Sequence, residues 1–281
     1  MLIASWNVNS IRTRLSQVLN WIEEKQPDIL CLQETKVIDE DFPVKVFIKL
    51  GYKVKFYGQK SYNGVAIVSK KNISDIRYGF AGELKNSDIS EELIEQKRIM
   101  SAYIEGIRII NVYVPNGSSL NSEKYKYKIN WLKKLREYIA MQGKRHEPTC
   151  ILGDFNIALN DNDIHDPDKY CGGIMASEIE RNNLKMALNE KFIDSFRVFE
   201  KLSGHWSWWD YRNNSFELNR GWRIDHIYIT NNLLSNLKSS VIDRNQRANI
   251  QPSDHAPVMI NLDFNKNFVE FEEEENDIFD L

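Results

Sequence analysis

The chain has 281 residues, 42% of them hydrophobic and 27% charged, which suits one large α/β domain or two small ones and excludes a chain disordered throughout. Three cysteines cannot staple a fold of this size, no apolar stretch reaches the roughly 18 residues that cross a bilayer, and no signal pattern opens the chain, so a soluble cytoplasmic protein without a membrane partner is expected. The formal net charge of −3 by itself speaks against nucleic acid, whose binding domains are usually basic.

Leu2–Trp6 is an apolar run of strand length, and Ser10 is an N-cap signal before Leu15, Val18, Leu19 and Ile22, which keep helical spacing. Ile29–Leu32 and Val65–Val68 read as further strands, with Cys31 as a reduced core thiol. The stretch Asn72–Gln96 is polar and irregular and reads as a surface excursion. Strands follow at Ile99–Ile104 and Ile107–Val114, then a helix over Ser122–Met141 with Tyr125, Ile129, Leu132, Leu135 and Ile139 on one face. Thr149–Leu152, holding Cys150, is another strand, and a third helix runs over Ser177–Asn189 with Ser177 as cap and Ile179, Leu184 and Leu188 inward. Ile224–Ile229 and Val258–Leu262 close the series. Several runs are β-branched and nearly continuous, as in strands covered on both faces. No repeat or linker divides residues 1–264, which read as one domain. Residues 265–281 hold seven acids and one base, a net of −6, so the preceding 264 carry +3 and the objection to nucleic acid lapses. Two readings of the tail stand. It is a solvated block of like charge, or, since Phe268, Phe271, Ile278, Phe279 and Leu281 interleave with the acids, it docks on a protein partner or folds back on a basic groove.

Six apolar runs end in, or adjoin, a side chain that can do chemistry. IASW leads to Asn7, ILCLQ to Glu34, INVYVP to Asn116 and CILG to Asp154 with Asn156; RI precedes Asp225, and Asp254 with His255 precedes the last strand. Residues at strand ends can converge on one rim of a sheet, and although any one Asn or Asp is more often a cap or turn, six together are harder to explain so. Carboxylates and amides are hard donors suited to Mg²⁺, which keeps waters for substrate phosphate, whereas HExxH and CxxC spacings for zinc are absent. No P-loop occurs, so phosphate must meet side chains and metal, and phosphate-ester hydrolysis fits these parts. His255 needs a carboxylate to fix its tautomer, and both RID and SDH offer one.

The runs SWNVNSIRTR, LCLQETK, NGVAIVSK, NVYVPNG, LGDFNIA, HDPDKY, SWWDYR, NRGWRIDHI and PSDHAPV, in this order, resemble the exonuclease III family of abasic-site endonucleases, over about residues 1–263. GDFN and SDH alone indicate only the wider superfamily with phosphatases. The resemblance implies a four-layer α/β sandwich, two mixed β-sheets packed face to face with helices outside. It implies Glu34 as principal Mg²⁺ ligand, Asn7 beside it and Asp254 near the metal, with Mn²⁺ able to substitute. Asp154 and Asn156 are further ligands if two metals bind. Tyr113 would contact the scissile phosphate, Asp154 activate water or protonate the leaving oxygen, Asn156 orient the nucleophile, and Asp225 and His255 act as a coupled pair at the phosphate.

Four of the seven tryptophans lie between positions 206 and 222. Core packing is the commoner reason for such clusters, but the resemblance implies that Trp208, Trp222 and Ile224 line a pocket for a base-less sugar, with Trp206 and Trp209 in packing. Asn116, Arg212 and Arg223 join the substrate-binding set. Arg12, Arg14, Lys36, Lys124, Lys126, Lys128, Arg220, Arg244 and Arg247 fit a phosphate-tracking surface, although KYKYK is equally a solvated helix face. The resulting expectation is a monomeric Mg²⁺-dependent DNA repair nuclease. It would cut double-stranded DNA 5′ to abasic sites, with 3′ to 5′ exonuclease and 3′ phosphodiesterase or phosphatase activity on 3′ ends. A phosphomonoesterase of the same superfamily and a catalytically silent DNA-binding module are the alternatives.

Overall fold

Apolar residues on both faces of the central strands force the chain into layers, because each sheet must be covered twice. The computed structural model describes residues 1–85, 89–143 and 147–264; the acidic tail lies outside the described residues. Its strands are β1 (Leu2–Asn7), β2 (Ile29–Gln33), β3 (Lys53–Tyr57), β4 (Val65–Ser69), β5 (Ser74–Tyr78), β6 (Ile99–Ile104), β7 (Ile107–Tyr113), β8 (Thr149–Asp154), β9 (Phe192–Asp194), β10 (Asp225–Thr230), β11 (Leu237–Ile242) and β12 (Val258–Leu262). The helices are α1 (Ile11–Lys25), α2 (Val44–Lys49), α3 (Glu91–Glu95), α4 (Glu123–Gly143), α5 (Pro167–Tyr170), α6 (Glu178–Leu188) and α7 (Ser195–Phe199). Two six-stranded sheets form, in the orders β11-β12-β1-β2-β4-β3 and β5-β6-β7-β8-β10-β9. Each contains one parallel pair joined through a helix, β1-α1-β2 and β7-α4-β8, in an otherwise antiparallel sheet.

Alternation along the strands builds the sandwich. Ile3, Cys31 and Ile67 of one sheet meet Ile109, Cys150, Leu152 and Ile227 of the other in the central core. Ala4, Trp6, Leu30 and Leu32 face outward onto Val18, Trp21 and Ile22 of α1. On the far side, Ile110, Val112, Ile151 and Tyr228 pack on Trp131, Leu132 and Leu135 of α4 and Leu184 of α6. The four-layer expectation is met. One polar bridge interrupts the central core: Asn111 accepts from Gln33 at 2.7 Å and donates to the carbonyls of Leu32 and Ala66 at 3.0 and 2.8 Å.

The helix ends follow local chemistry. Ser10 caps α1, and Ser177 with Glu180 forms a capping box at α6. Ile179 departs from expectation, being 55% exposed, because it falls on the solvent side of a helix whose buried face is set by Glu180, Leu184 and Leu188. Asn72–Gln96 is not simply an irregular excursion: it holds β5, α3 and the buried Phe80.

Replacing Asn111 with Leu, which removes three buried hydrogen bonds, one from Gln33 and two to the Leu32 and Ala66 carbonyls, is expected to cost about 3 kcal/mol in urea unfolding, against less than about 0.5 for Ile179→Ala.

Candidate active site

Both parallel pairs run toward the same rim, and ligands of α/β sheets gather beyond the C-terminal ends of such strands. In the second sheet Asp154 ends β8, with Tyr113 opposite it on β7 and Asp225 opposite it on β10, so three functional side chains share one rung. Gly153 permits this close pairing, since a Cβ there would meet the Val112 carbonyl at 1.9 Å. In the first sheet Asn7 ends β1 and Glu34 follows β2; His255 comes just before β12. Glu34 and Asn156 have left-handed backbone, φ 56° and 49°, which turns each chain sharply after its strand.

The sheets meet through side chains. Asn7 Nδ2 donates to Glu34 Oε2 at 3.0 Å and to Asp154 Oδ2 at 2.9 Å. Asn156 gives Asp154 two more bonds, its backbone N–H to Oδ1 at 2.8 Å and Nδ2 to Oδ2 at 3.0 Å, while Asn116 Nδ2 donates to Asn156 Oδ1 at 3.0 Å. Asp225 Oδ2 pairs with His255 Nδ1 at 2.8 Å and accepts from Ser207 Oγ at 2.7 Å, leaving His255 Nε2 on the Asp154 side, 3.8 Å from Oδ2. Trp208 Nε1 and Asn9 Nδ2 both donate to Asp254, each at 3.0 Å.

Burial controls the protonation of this cluster. It pushes the Asp154 carboxyl up to about 7, with Asp225 adding repulsion and His255 opposing. For His255 burial acts the other way, disfavouring the cation, but Asp225, Asp154 and Asp254 outweigh it and raise the imidazole to about 10. Burial, together with Glu34 and Asp154, keeps the Tyr113 hydroxyl protonated.

Four carboxylates, Glu34, Asp154, Asp225 and Asp254, face two cationic groups here, Lys36, whose Nζ is 2.9 Å from Glu34, and His255. The excess negative charge and the oxygen donors fit a divalent cation. Asp154, Asp225 and His255 offer atoms within 4.8 Å of one another, although Asp225 and His255 are already bonded to each other; Glu34 and Asp254 are the further carboxylates of this rim that could hold a cation.

Trp208, Trp222 and Ile224 come together with Ile164 and Met175 in one apolar cluster, Trp208 and Trp222 exchanging backbone hydrogen bonds at 2.9 Å. Trp206 and Trp209 pack elsewhere, against Ala256. Arg12, Lys124, Lys126, Arg212, Arg220 and Arg244 are exposed, with Arg212 held by Asp210 at 2.6 Å. Two expected substrate contacts are corrected. Arg223 is 1% exposed and locked between Asp163 and Asp194, and Lys128 is buried against Glu180, so neither can track phosphate. Arg247 is likewise buried, over the rings of Tyr211 and Phe216, and Arg14 is engaged with Asn9, Tyr211 and Pro252. Asn9 went unnoticed in the sequence, though the NVN spacing offered it: it accepts from Lys36 at 2.6 Å and touches both Asn7 and Asp254. Ser207, the partner of Asp225, had no signal beyond its place in HWSWWD.

The sequence pattern of the Endonuclease/Exonuclease/phosphatase family matches residues 4–255. Exodeoxyribonuclease III of Haemophilus influenzae is 36% identical over 270 residues, 92% of this chain and 98% of that protein. An exodeoxyribonuclease of Bacillus subtilis is 32% identical with the same coverage. Among solved structures, a 3′ phosphatase from Neisseria bound to product DNA hairpin superimposes with a TM-score of 0.88 at 39% identity, over 94% of this chain and all of that one. An AP endonuclease from Archaeoglobus fulgidus gives 0.85 at 38%, over 94% and 99%.

An NMR titration of the His255 ring should show a midpoint near 10 in the metal-free protein. In Asp225→Asn the midpoint should fall by several units as burial loses its chief opponent. The linkage has a definite sign: a raised histidine pKa contributes stability in full below about 6.5, and that contribution is lost as pH rises toward 10.

Proposed function

The chain belongs to the Endonuclease/Exonuclease/phosphatase family, and on that premise we propose that it is a DNA repair nuclease hydrolysing the phosphodiester 5′ to abasic sites. Removal of nucleotides and blocking groups from 3′ ends belongs to the same reading, in keeping with the activities for which its relatives are named. The observation that carries the proposal is the convergence of Asp154, the Asp225–His255 pair and Glu34 with Asn7 on one rim. Residues 1–264 are assigned to the nuclease domain, and the acidic tail is taken as an appendage to it.

Attack of water on a phosphodiester accumulates negative charge on the phosphoryl oxygens and requires a proton acceptor. Asp154, ionised above about pH 7 and fixed by three donors, takes the proton from the attacking water and can return it to the leaving oxygen. His255, cationic and aimed by Asp225 through Nδ1, presents Nε2 to the phosphate. The Tyr113 hydroxyl and the Asn156 amide are the neutral donors. Glu34, Asn7 and Asp254 would hold Mg²⁺, with Mn²⁺ able to substitute; bound there, the cation neutralises phosphate charge.

Beyond Asp254, the Trp208–Trp222–Ile224 cluster supplies an apolar wall for a base-less sugar, where a missing base reduces the unstacking cost of extrusion. Exposed Arg12, Lys124, Lys126, Arg212 and Arg220 give the duplex its salt-dependent contacts. A groove of about 870 Å³ adjoins Tyr113 and Asn116, lined by Arg98, Lys124 and Lys126 and also by Glu92, Glu95 and Glu123.

Purified protein with Mg²⁺ should nick a duplex bearing one tetrahydrofuran residue, and EDTA should abolish the nick; an intact duplex would refute the reading. Glu34→Gln and His255→Asn should each lower kcat by on the order of 10³-fold or more. The wild-type rate should hold to about pH 10 before falling, and in Asp225→Asn that alkaline decline should begin at lower pH.

A further inference from the structure

Lys128 ends the run KYKYK, whose other two lysines, Lys124 and Lys126, are exposed, yet it is completely buried. An ammonium stripped of water needs an acceptor for each of its three N–H bonds. Three are in reach: Glu180 Oε1 at 2.6 Å, the Asn156 carbonyl at 2.8 Å and the Asn116 carbonyl at 3.1 Å. The two carbonyls belong to separate loops, one after β7 and one after β8. Glu180, equally buried, also accepts from the backbone N–H of Met175 at 3.1 Å, from that of Ser177 at 3.0 Å and from Ser177 Oγ at 2.6 Å, which ties in the segment before α6. On the side-chain face of the same two loops, Asn116 Nδ2 meets Asn156 Oδ1 and Asn156 Nδ2 meets Asp154 Oδ2, both at 3.0 Å.

We propose that Lys128 is a positioning residue for the hydrolysis: by binding the Asn116 and Asn156 carbonyls on one ammonium, with Glu180 as counter-charge, it fixes the two loops and so aims the Asn156 amide at Asp154. Packing alone would be served by Leu or Met without the desolvation of two charges. What an apolar side chain cannot supply is a common donor to two carbonyls on different loops. The proposal rests on the reading that Asn156 acts at the scissile phosphate.

The test uses the full chain carrying Lys128→Met with Glu180→Gln, a pair that leaves no buried charge unpaired, on the tetrahydrofuran duplex with Mg²⁺. In the folded variant kcat is expected to fall by about 10²-fold while KM stays within about twofold. In an Asn156→Ala background the same pair should lower kcat by no more than about threefold, because residues that act through one another are not additive. An unchanged kcat, or fully additive losses, overturns the proposal. Lys128→Arg covers the case in which the double variant fails to fold: it keeps the charge and the Glu180 pair, but its planar fork fits two converging carbonyls poorly, so kcat should fall about tenfold at near-native stability. An Arg variant with wild-type kcat would also count against it. The side-chain amide NMR signal of Asn156, assigned by its loss in Asn156→Ala, reads the orientation without turnover. A signal that does not move in the Lys128 variants refutes positioning, whereas equal turnover by wild type and Asn156→Ala refutes the role given to Asn156 and, with it, the proposal.

Discussion

The Asn7 amide joins the two sheets at the rim, giving one hydrogen bond to Glu34 in its own sheet and another to Asp154 across the gap, beside the His255–Asp225 pair that also spans them. Both bonds leave from the same nitrogen, so the separation of the sheets at this level has little freedom. Further down, Gln33 and Asn111 make a second polar crossing, and below that Ile3, Cys31, Ile109 and Cys150 fill the space with apolar volume. A core packed this densely resists compression and sliding, and the rim inherits its rigidity. Asp154 on one sheet and Glu34 on the other are thereby kept a hydrogen-bonded amide apart.

Burial has opposite consequences for the two titrating partners, and the arrangement exploits both. Removal from water raises Asp154 toward neutrality, where a carboxylate can both accept and return a proton. The same removal would discharge His255, but the carboxylate of Asp225, itself fixed by Ser207, keeps the imidazole cationic. Asp225 Oδ1 is buried without a hydrogen-bond partner among the described residues, which costs stability. Charges of this kind are poor sources of stability, and their accumulation at one rim is intelligible as chemistry.

Basic residues divide by burial in a way that their spacing hides. Arg223, between Asp163 and Asp194, and Lys128, with Glu180, are internal fasteners that set the loops bearing Trp222, Asn116 and Asn156. Lys124, Lys126 and Arg220, close to them in sequence, remain exposed for a polyanion, as does Arg12. A modest body charge of +3 is therefore compatible with a polyanion, since buried bases and acids pair with one another while these four remain exposed.

Much of this was legible in the sequence. The eight central strands announce themselves because both faces are largely buried, which makes their residues nearly continuously apolar. The strands that went unread, β3, β5, β9 and β11, are the four sheet edges; half exposed, as in KVKFY and LKSSVI, they lack that signature. The polar residues at strand ends, from Asn7 to His255, could likewise be named in advance, since each interrupts an apolar run, and the family motifs fixed their probable company. Tertiary structure alone decided which charges face water and which partner each chemical group takes. Lys126 and Lys128 are two residues apart in one helix yet lie on opposite sides of it, and the carboxylate that charges His255 comes from another strand, thirty residues away in the chain. Sequence determines what a residue can do; burial and approach across the fold, which are sums over distant segments, determine what it does.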